Sequence, residues 1–250
     1  MKSHCYVYLE RFLSFFTDKV VCISDDERKS ALLHHVVQEK KMELIPNGID
    51  IEAVRMAKAK ERTECGIPED AVIIGMIGRL TPQKAPDIFI RSAQLILPYI
   101  KNAFFIIVGD GEDREEIAKY AEMNKIPLLI TGWTSEPYSY LKLFDIALLL
   151  SRWEGFGLAI AEYMAAGKSL IATQVDAIPS LVKDGVEGLL VSVDSPEEVL
   201  EKVLFLYHHP EQAAAMRKHA YEKVVTNYDV QRVARQHLKM FEELMRGRRK

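Results

Sequence analysis

From residue 72 onward, short apolar and β-branched runs alternate with stretches whose apolar positions recur at helical spacing. The runs are VIIGMI (72–77), FFIIVG (104–109), PLLITG (127–132), DIALLL (145–150), KSLIAT (168–173) and EGLLVS (187–192). They are continuously apolar instead of alternating, the pattern of strands buried on both faces of a parallel sheet. Between them the spacing predicts helices over 86–97, 112–124, 137–143, 158–166 and 177–183. This β–α alternation predicts an α/β fold, a doubly wound, Rossmann-like parallel sheet of about six strands.

The two ends read differently. Ser195 and Pro196 suit the N-cap and first position of a helix over 195–208. Extra C-terminal helices follow over 210–226 and 228–246. In the last, Val230, Val233, Ala234, His237, Phe241, Leu244 and Met245 share one face that needs a cover. Residues 1–50 stand outside the repeat. They read as a helix (6–16), a strand DKVVCIS (18–24), a helix from Asp25 to about Val37 and a strand KMELIP (41–46), closed by an Asn47-Gly48 turn signal. A polar helix over 51–63 then leads to Gly66. The expected organisation is therefore 1–50 as the trailing edge of something larger, 51–65 as a connecting helix, 66–227 as the main domain, and 228–250 as a final helix and tail.

Composition narrows the class. The chain has 250 residues, 48% hydrophobic and 28% charged, which excludes wholesale disorder. With 33 Lys+Arg against 36 Asp+Glu, the net charge is −3 and argues against a nucleic-acid binder. Cys5, Cys22 and Cys65 form no C-x-x-C, which suits a reducing cytoplasm and argues against structural zinc. No apolar span approaches the ~20 residues of a membrane helix, and the N-terminus lacks a signal-peptide core. The basic tail Arg246-Gly-Arg248-Arg249-Lys250 reads as a solvated end, or as a weak contact with anionic lipid at the inner face of the membrane. His34-His35 and His208-His209 are adjacent pairs that cannot share a helix face, and D-x-D is absent, so no metal or other cofactor is expected. Neither a G-x-S-x-G elbow nor a P-loop is present.

The candidate chemistry sits after predicted strands. Glu154-Gly155-Phe156-Gly157-Leu158 follows 145–150 and leads into a helix carrying Glu162. Its glycines permit close approach of a ligand, and the amides of Phe156, Gly157 and Leu158 would form a helix N-terminus suited to an anion. Glu162 lies about five residues along, roughly 7–8 Å at 1.5 Å per residue, so the two carboxylates flank a phosphate site and do not share one. A turn with two surface glutamates is the alternative. Gly78-Arg79-Leu80-Thr81-Pro82-Gln83-Lys84 follows 72–77 and offers two cations for a diphosphate. Gly109-Asp110-Gly111 lacks the third glycine of a dinucleotide fingerprint and reads as a tight turn. Gly132-Trp133 could border a nucleobase, or hold an ordinary half-buried tryptophan.

Taken together, these motifs resemble retaining glycosyltransferases of family 4, the group 1 glycosyl transferases of GT-B architecture. Glu154 to Glu162 matches their E-x7-E signature, Gly78-Arg79-Leu80 with Lys84 their G-R-L-x-x-x-K loop, and Ile45-Pro46-Asn47-Gly48-Ile49-Asp50 their interdomain I-P-N-G-V-D segment. The likeness runs from about residue 18 to 245 and centres on the C-terminal donor-binding domain. It implies transfer of a sugar from a nucleotide-diphosphate donor to a saccharide or lipid-linked acceptor, as in polysaccharide assembly, in the cytoplasm. Arg79 and Lys84 would hold the diphosphate, the Phe156-Gly157-Leu158 amides the distal phosphate, Glu154 the sugar and Glu162 the ribose. Gly132-Trp133 would border the base, and Gly78 would admit the backbone close to the donor.

Two departures matter. Ala85 replaces the glycine that usually follows the lysine, and only about 50 residues precede Asn47-Gly48, too few for the family's acceptor domain. The expectation is a donor-binding half, from a shortened gene product or a chain working with a separate acceptor-domain subunit, and either self-associating through its uncovered last helix or carrying that helix as a mobile element. A catalytically inactive nucleotide-sugar-binding module is the alternative.

Overall fold

The computed structural model describes residues 2–247; the tail beyond, and the lipid contact expected of it, lies outside the described residues. Along the chain run α1 (Lys2–Ser14), β1 (Val20–Cys22), α2 (Asp25–Leu33), a 3-10 turn (Glu39–Lys41), β2 (Met42–Leu44) and α3 (Ile51–Met56). Then come β3 (Val72–Ile77), α4 (Pro86–Ile96), β4 (Ala103–Val108), α5 (Arg114–Met123), β5 (Leu128–Ile130), α6 (Pro137–Leu141), β6 (Ile146–Leu149) and α7 (Leu158–Ala165). The chain ends in β7 (Ser169–Thr173), α8 (Ile178–Leu181), β8 (Leu189–Val191), α9 (Pro196–His208), α10 (Pro210–Asn227) and α11 (Val230–Gly247).

β3 to β8 form one all-parallel sheet in the order β5-β4-β3-β6-β7-β8. Alternate strand residues feed two cores. Ile74, Met76, Phe105, Ile107 and Leu148 pack with α4, α5 and α9, while Ile73, Ile106, Ala147 and Leu149 pack with α3, α7 and α10. Burial on both faces is what the unbroken apolar runs required. β3 and β4 are as long as their runs, β6 and β7 are one or two residues shorter, and the edge strands β5 and β8 are three residues shorter, because hydrogen-bond pairing stops where the loops turn away.

The polar helix expected over 51–63 stops at Met56. Beyond it there is no apolar stripe to bury, and the chain leaves the helix for tertiary bonds before a tight turn over 62–66. Lys60 N donates to Ser139 O at 3.1 Å, the Lys60 ammonium pairs with Glu136 at 2.8 Å, and Arg62 donates to the carbonyls of Glu69 and Ala71 at 2.9 and 3.0 Å. Asn47-Gly48 is likewise no turn. The segment runs extended into a bridge between Ile49 and Asp229, with Ile49 N donating to Tyr228 O at 2.9 Å. Ile49, Ile51 and Val54 already belong to the second core.

β1 and β2 form a separate two-stranded parallel sheet, with α2 as its crossover and a small core of Cys22, Val37 and Met42. α11 lies against it, burying Val233 and Met240 on Ile45, with Val21 and Leu244 at the rim. Only one edge of the expected apolar stripe is covered. Met240 takes part, while Phe241 and Met245 face solvent.

Candidate functional site

The strand order reverses between β3 and β6. Ligands of doubly wound sheets enter the crevice beyond the carboxyl ends at such a point. Here β3 and β6 pair only through Ile74–Ile146 and Gly75–Ala147. Past that pair the buried Tyr163 of α7 enters: its hydroxyl accepts from Ile77 N at 2.7 Å and donates towards Leu148 O at 3.4 Å. Burial raises its pKa, so the phenol stays protonated. The hydroxyl thus bridges β3 and β6 and satisfies groups that the missing ladder leaves open.

The loop after β3 forms one wall. The Gly109-Asp110-Gly111 turn is its bed. A Cβ on Gly109 (φ +146°) would lie 2.1 Å from Gly78 O, and one on Gly111 2.2 Å from Leu80 O. Leu80 N donates to Asp110 O at 2.9 Å and Asp113 N to Leu80 O at 3.1 Å. These glycines therefore serve backbone packing, as the broken fingerprint suggested. The loop closes with Ala85 in the left-handed region (φ +49°, ψ +52°), which costs a non-glycine residue about 1–2 kcal/mol. Thr81 Oγ1 is buried there without a partner among the described residues, a further cost of about 1–3 kcal/mol. Gly78 is not demanded by the fold, since a Cβ there would meet only Lys84 Cγ at an ordinary 3.5 Å. Arg79 is exposed beside it.

The loop after β6 forms the other wall. Lys84 and Glu154, predicted on separate loops, meet across the crevice in an ion pair with both side chains largely buried (16% and 11% exposed). Glu154 is held on every side: Ser151 Oγ donates to its carboxylate at 3.2 Å, and its amide donates to Asp176 at 2.7 Å. Gly155 has nothing within 4 Å of a would-be Cβ and no positive φ, so its missing side chain leaves open space. Gly157, by contrast, is a structural glycine (φ +91°) at the start of α7. The Phe156 ring points inward onto Tyr228, centroids 5.6 Å apart, and anchors the loop. No acceptor among the described residues takes the amides of Phe156, Gly157 or Leu158. The arrangement offers Arg79, Lys84 and a helix N-terminus to an anion, with Glu154 beside them.

Glu162 lies along α7, apart from Glu154, and accepts from the Tyr138 hydroxyl at 3.0 Å. Burial raises its pKa, and the Tyr138 hydrogen bond offsets part of that rise. Gly132 (φ +71°) follows β5 under the Asp110–Arg114 ion pair, and Trp133 is 82% exposed instead of half-buried. Both lie at the carboxyl edge of the sheet, beyond β4 from the Lys84–Glu154 pair. Sequence reasoning missed Ser151, Arg152, Asp176, Tyr138 and Tyr163. For Asp176, its place just after a strand that feeds the same edge was an available signal.

Among the described residues no group of three or more His, Cys, Asp and Glu could hold a metal ion, and no helix is long and apolar enough to cross a membrane. A cavity of about 610 Å³ between α9, α10 and the segment before β8 contains none of the predicted site residues.

Comparison with known proteins adds to this geometry. The model of the family "Glycosyl transferases group 1" matches residues 57–223. The chain is 30% identical over 235 residues to the UDP-Gal:alpha-D-GlcNAc-diphosphoundecaprenol alpha-1,3-galactosyltransferase of Escherichia coli, covering 90% of this chain and 60% of that protein. It is 27% identical over 209 residues to a D-inositol 3-phosphate glycosyltransferase of Segniliparus rotundus, covering 80% of this chain and 46% of that one. The chain thus spans about half to three fifths of the length of these relatives. Among solved structures, a glycosyltransferase from Rickettsia africae superposes with a TM-score of 0.86 at 19% identity, over 95% of this chain and 67% of that one. The Anabaena protein HepE in complex with UDP-glucose gives 0.85 at 20% identity, over 97% and 70%. The C-terminal domain of a group 1 family protein, LpcC, from Francisella tularensis gives 0.65 at 24% identity, over 73% of this chain and all of that domain. The fold, the order of the motifs and the extent of the family match agree: this chain is a member of the glycosyl transferases group 1 family.

Proposed function

We propose that this chain carries the donor-binding half of a retaining glycosyltransferase that takes a nucleotide-diphosphate sugar. The observation that carries the reading is the Lys84–Glu154 pair, set at the β3/β6 switch point next to the unpaired amides at the start of α7. A diphosphate would be held there between Arg79, Lys84 and that helix N-terminus. Positive charge aimed at the leaving group, together with positioning of the donor, would lower the barrier in such a site. Glu154 would then orient the sugar, Glu162 the ribose, and Gly132-Trp133 would border the base, with Gly78 and Gly155 leaving room for the donor. UDP is the first base to test, since HepE was crystallised with UDP-glucose and the E. coli relative is named for a UDP-galactose donor. That relative's name also supports a lipid-linked saccharide as acceptor class.

The acceptor would be held by a domain this sequence does not contain, in the same polypeptide or as a separate subunit, with residues 1–50 as its edge. The greater length of the relatives and the two-stranded parallel sheet of β1 and β2 support this reading. A thermal-shift screen over UDP, GDP and NAD with the corresponding sugar nucleotides tests it. A nucleoside diphosphate at a hundred times its dissociation constant should stabilise the fold by about 2.7 kcal/mol. Lys84→Ala should abolish the shift, while NAD gives none. A shift from NAD alone would refute the assignment. Restored sugar transfer on adding a candidate acceptor domain in trans would separate an enzyme from a binding module.

A further inference from the structure

Arg152 belongs to none of the roles above, yet it is the most heavily bonded side chain near the crevice. Its guanidinium donates through Nη2 to Asp87 at 2.7 Å, through Nη1 to Pro82 O at 2.8 Å and through Nε to Asp194 at 2.8 Å. Its backbone amide donates to Gln83 O at 2.9 Å, and the Gln83 side chain donates back to Trp153 O at 3.1 Å. Pro82 and Gln83 belong to the loop after β3, Asp87 to the first turn of α4, and Asp194 to the loop after β8. One side chain therefore ties together three loops from one edge of the sheet. Lys84 lies inside the tied segment and Glu154 two residues beyond Arg152.

The tied loop is one that would relax if released. Ala85 is in a conformation that disfavours a side chain, Thr81 Oγ1 lacks a partner, and Asp194 is itself left-handed (φ +55°). Three unfavourable features in segments joined by one guanidinium mark a geometry imposed from outside the loops. The planar fork is what does this. Three acceptors in different directions match the donors of an arginine, and a lysine ammonium on a single stem cannot span them.

We propose that Arg152 is a positioning residue: it locks the loops after β3, β6 and β8 into one frame, and so fixes the separation of Lys84 and Glu154 before a donor arrives. Its consequence for donor affinity rests on the function proposed above, while its consequence for loop order does not.

Hydrogen exchange on the ligand-free chain and calorimetry with UDP, each on the wild type, Arg152→Lys and Arg152→Ala, test the proposal. In both variants the amides of 79–86 and 152–158 should exchange about tenfold faster, the loss of one charge-assisted fork, with the β3, β4 and β6 amides still protected. UDP affinity should fall by about tenfold in both, and added guanidinium ion should restore part of it in Arg152→Ala alone. Loop exchange in Arg152→Lys equal to the wild type would overturn the proposal, as would unchanged loop exchange in a folded Arg152→Ala. Should Arg152→Ala lose protection across the whole sheet, Arg152→Lys decides. If the wild type takes no nucleoside diphosphate, the donor reading fails, and the exchange experiment still judges the lock.

Discussion

The crevice separates glycines that the fold requires from those it merely allows. Gly157 needs its left-handed backbone, and a Cβ there would lie 2.7 Å from Ile178 Cδ1. Gly157→Ala should therefore destabilise the chain by at least the ~1–2 kcal/mol of the left-handed conformation. Gly155 has open space around it. Gly155→Ala should leave stability within about 0.5 kcal/mol of the wild type, yet weaken nucleoside diphosphate binding, because a methyl group takes room a ligand uses. Urea titration and calorimetry check the pair. Equal stability losses in both would contradict the distinction.

Glu162 makes the opposite trade. Its raised pKa means that the folded chain keeps the proton where the unfolded chain has released it. The carboxylate therefore destabilises the fold fully above its raised pKa, and this cost vanishes as pH falls below the ordinary value of 4.5. Glu162→Gln, which can still accept from Tyr138, should melt higher than the wild type at pH 7, with the gap closing towards pH 4.5, while binding nucleotide more weakly. A variant that melts lower at pH 7 would contradict the burial argument. Motif spacing singled out Arg79, Lys84, Glu154 and Glu162 as candidates, and the structure brings Lys84 and Glu154 together while Glu162 lies apart on Tyr138. Arg152, Asp176 and Tyr163 were not legible, because their partners sit on loops distant in sequence, and nothing local in the chain announces a bond from residue 152 to residue 194.

At the scale of elements, every strand of the main sheet was legible as an unbroken apolar run: the central strands are buried on both faces, and the edge strand β5, only half-buried, still packs Leu128 and Ile130 on one core and Leu129 on the other. The over-read helix beyond Met56 shows the limit. Polar residues with helical propensity form a helix only when one face has something to cover, and here Lys60 and Arg62 find better bonds elsewhere. The turn signal at Asn47-Gly48 misled for a different reason. Gly48 is needed for the close approach of α11: a Cβ would lie 2.8 Å from Val230 Cα and 3.1 Å from Val233. Gly48→Ala must push the helix off the linker. The expected cost is about 1–3 kcal/mol, with faster hydrogen exchange at the start of α11 and in the Ile49–Asp229 bridge. An unchanged α11 would show that the helix is not seated on this segment.

The molecule as a whole leaves two apolar faces open. Tyr8, Phe12, Phe15 and Phe16 are exposed along and after α1, and Phe241 and Met245 along α11. Exposed groups of this kind mark contact surfaces. The chain on its own should therefore associate at micromolar concentration, and Phe12→Asp with Phe241→Asp should return it towards a monomer in sedimentation velocity. A wild type that is monomeric throughout would contradict this.

The central claim is that one crevice, between the loops after β3 and β6, receives a diphosphate. A crystal structure of the chain with a bound nucleoside diphosphate tests it most directly. The account predicts phosphate oxygens about 2.7–3.2 Å from Lys84 Nζ and from the amides at the start of α7, with the carboxylate of Glu154 released from the lysine. A diphosphate seated elsewhere, for instance in the cavity between α9 and α10, with the Lys84–Glu154 pair intact, would contradict it.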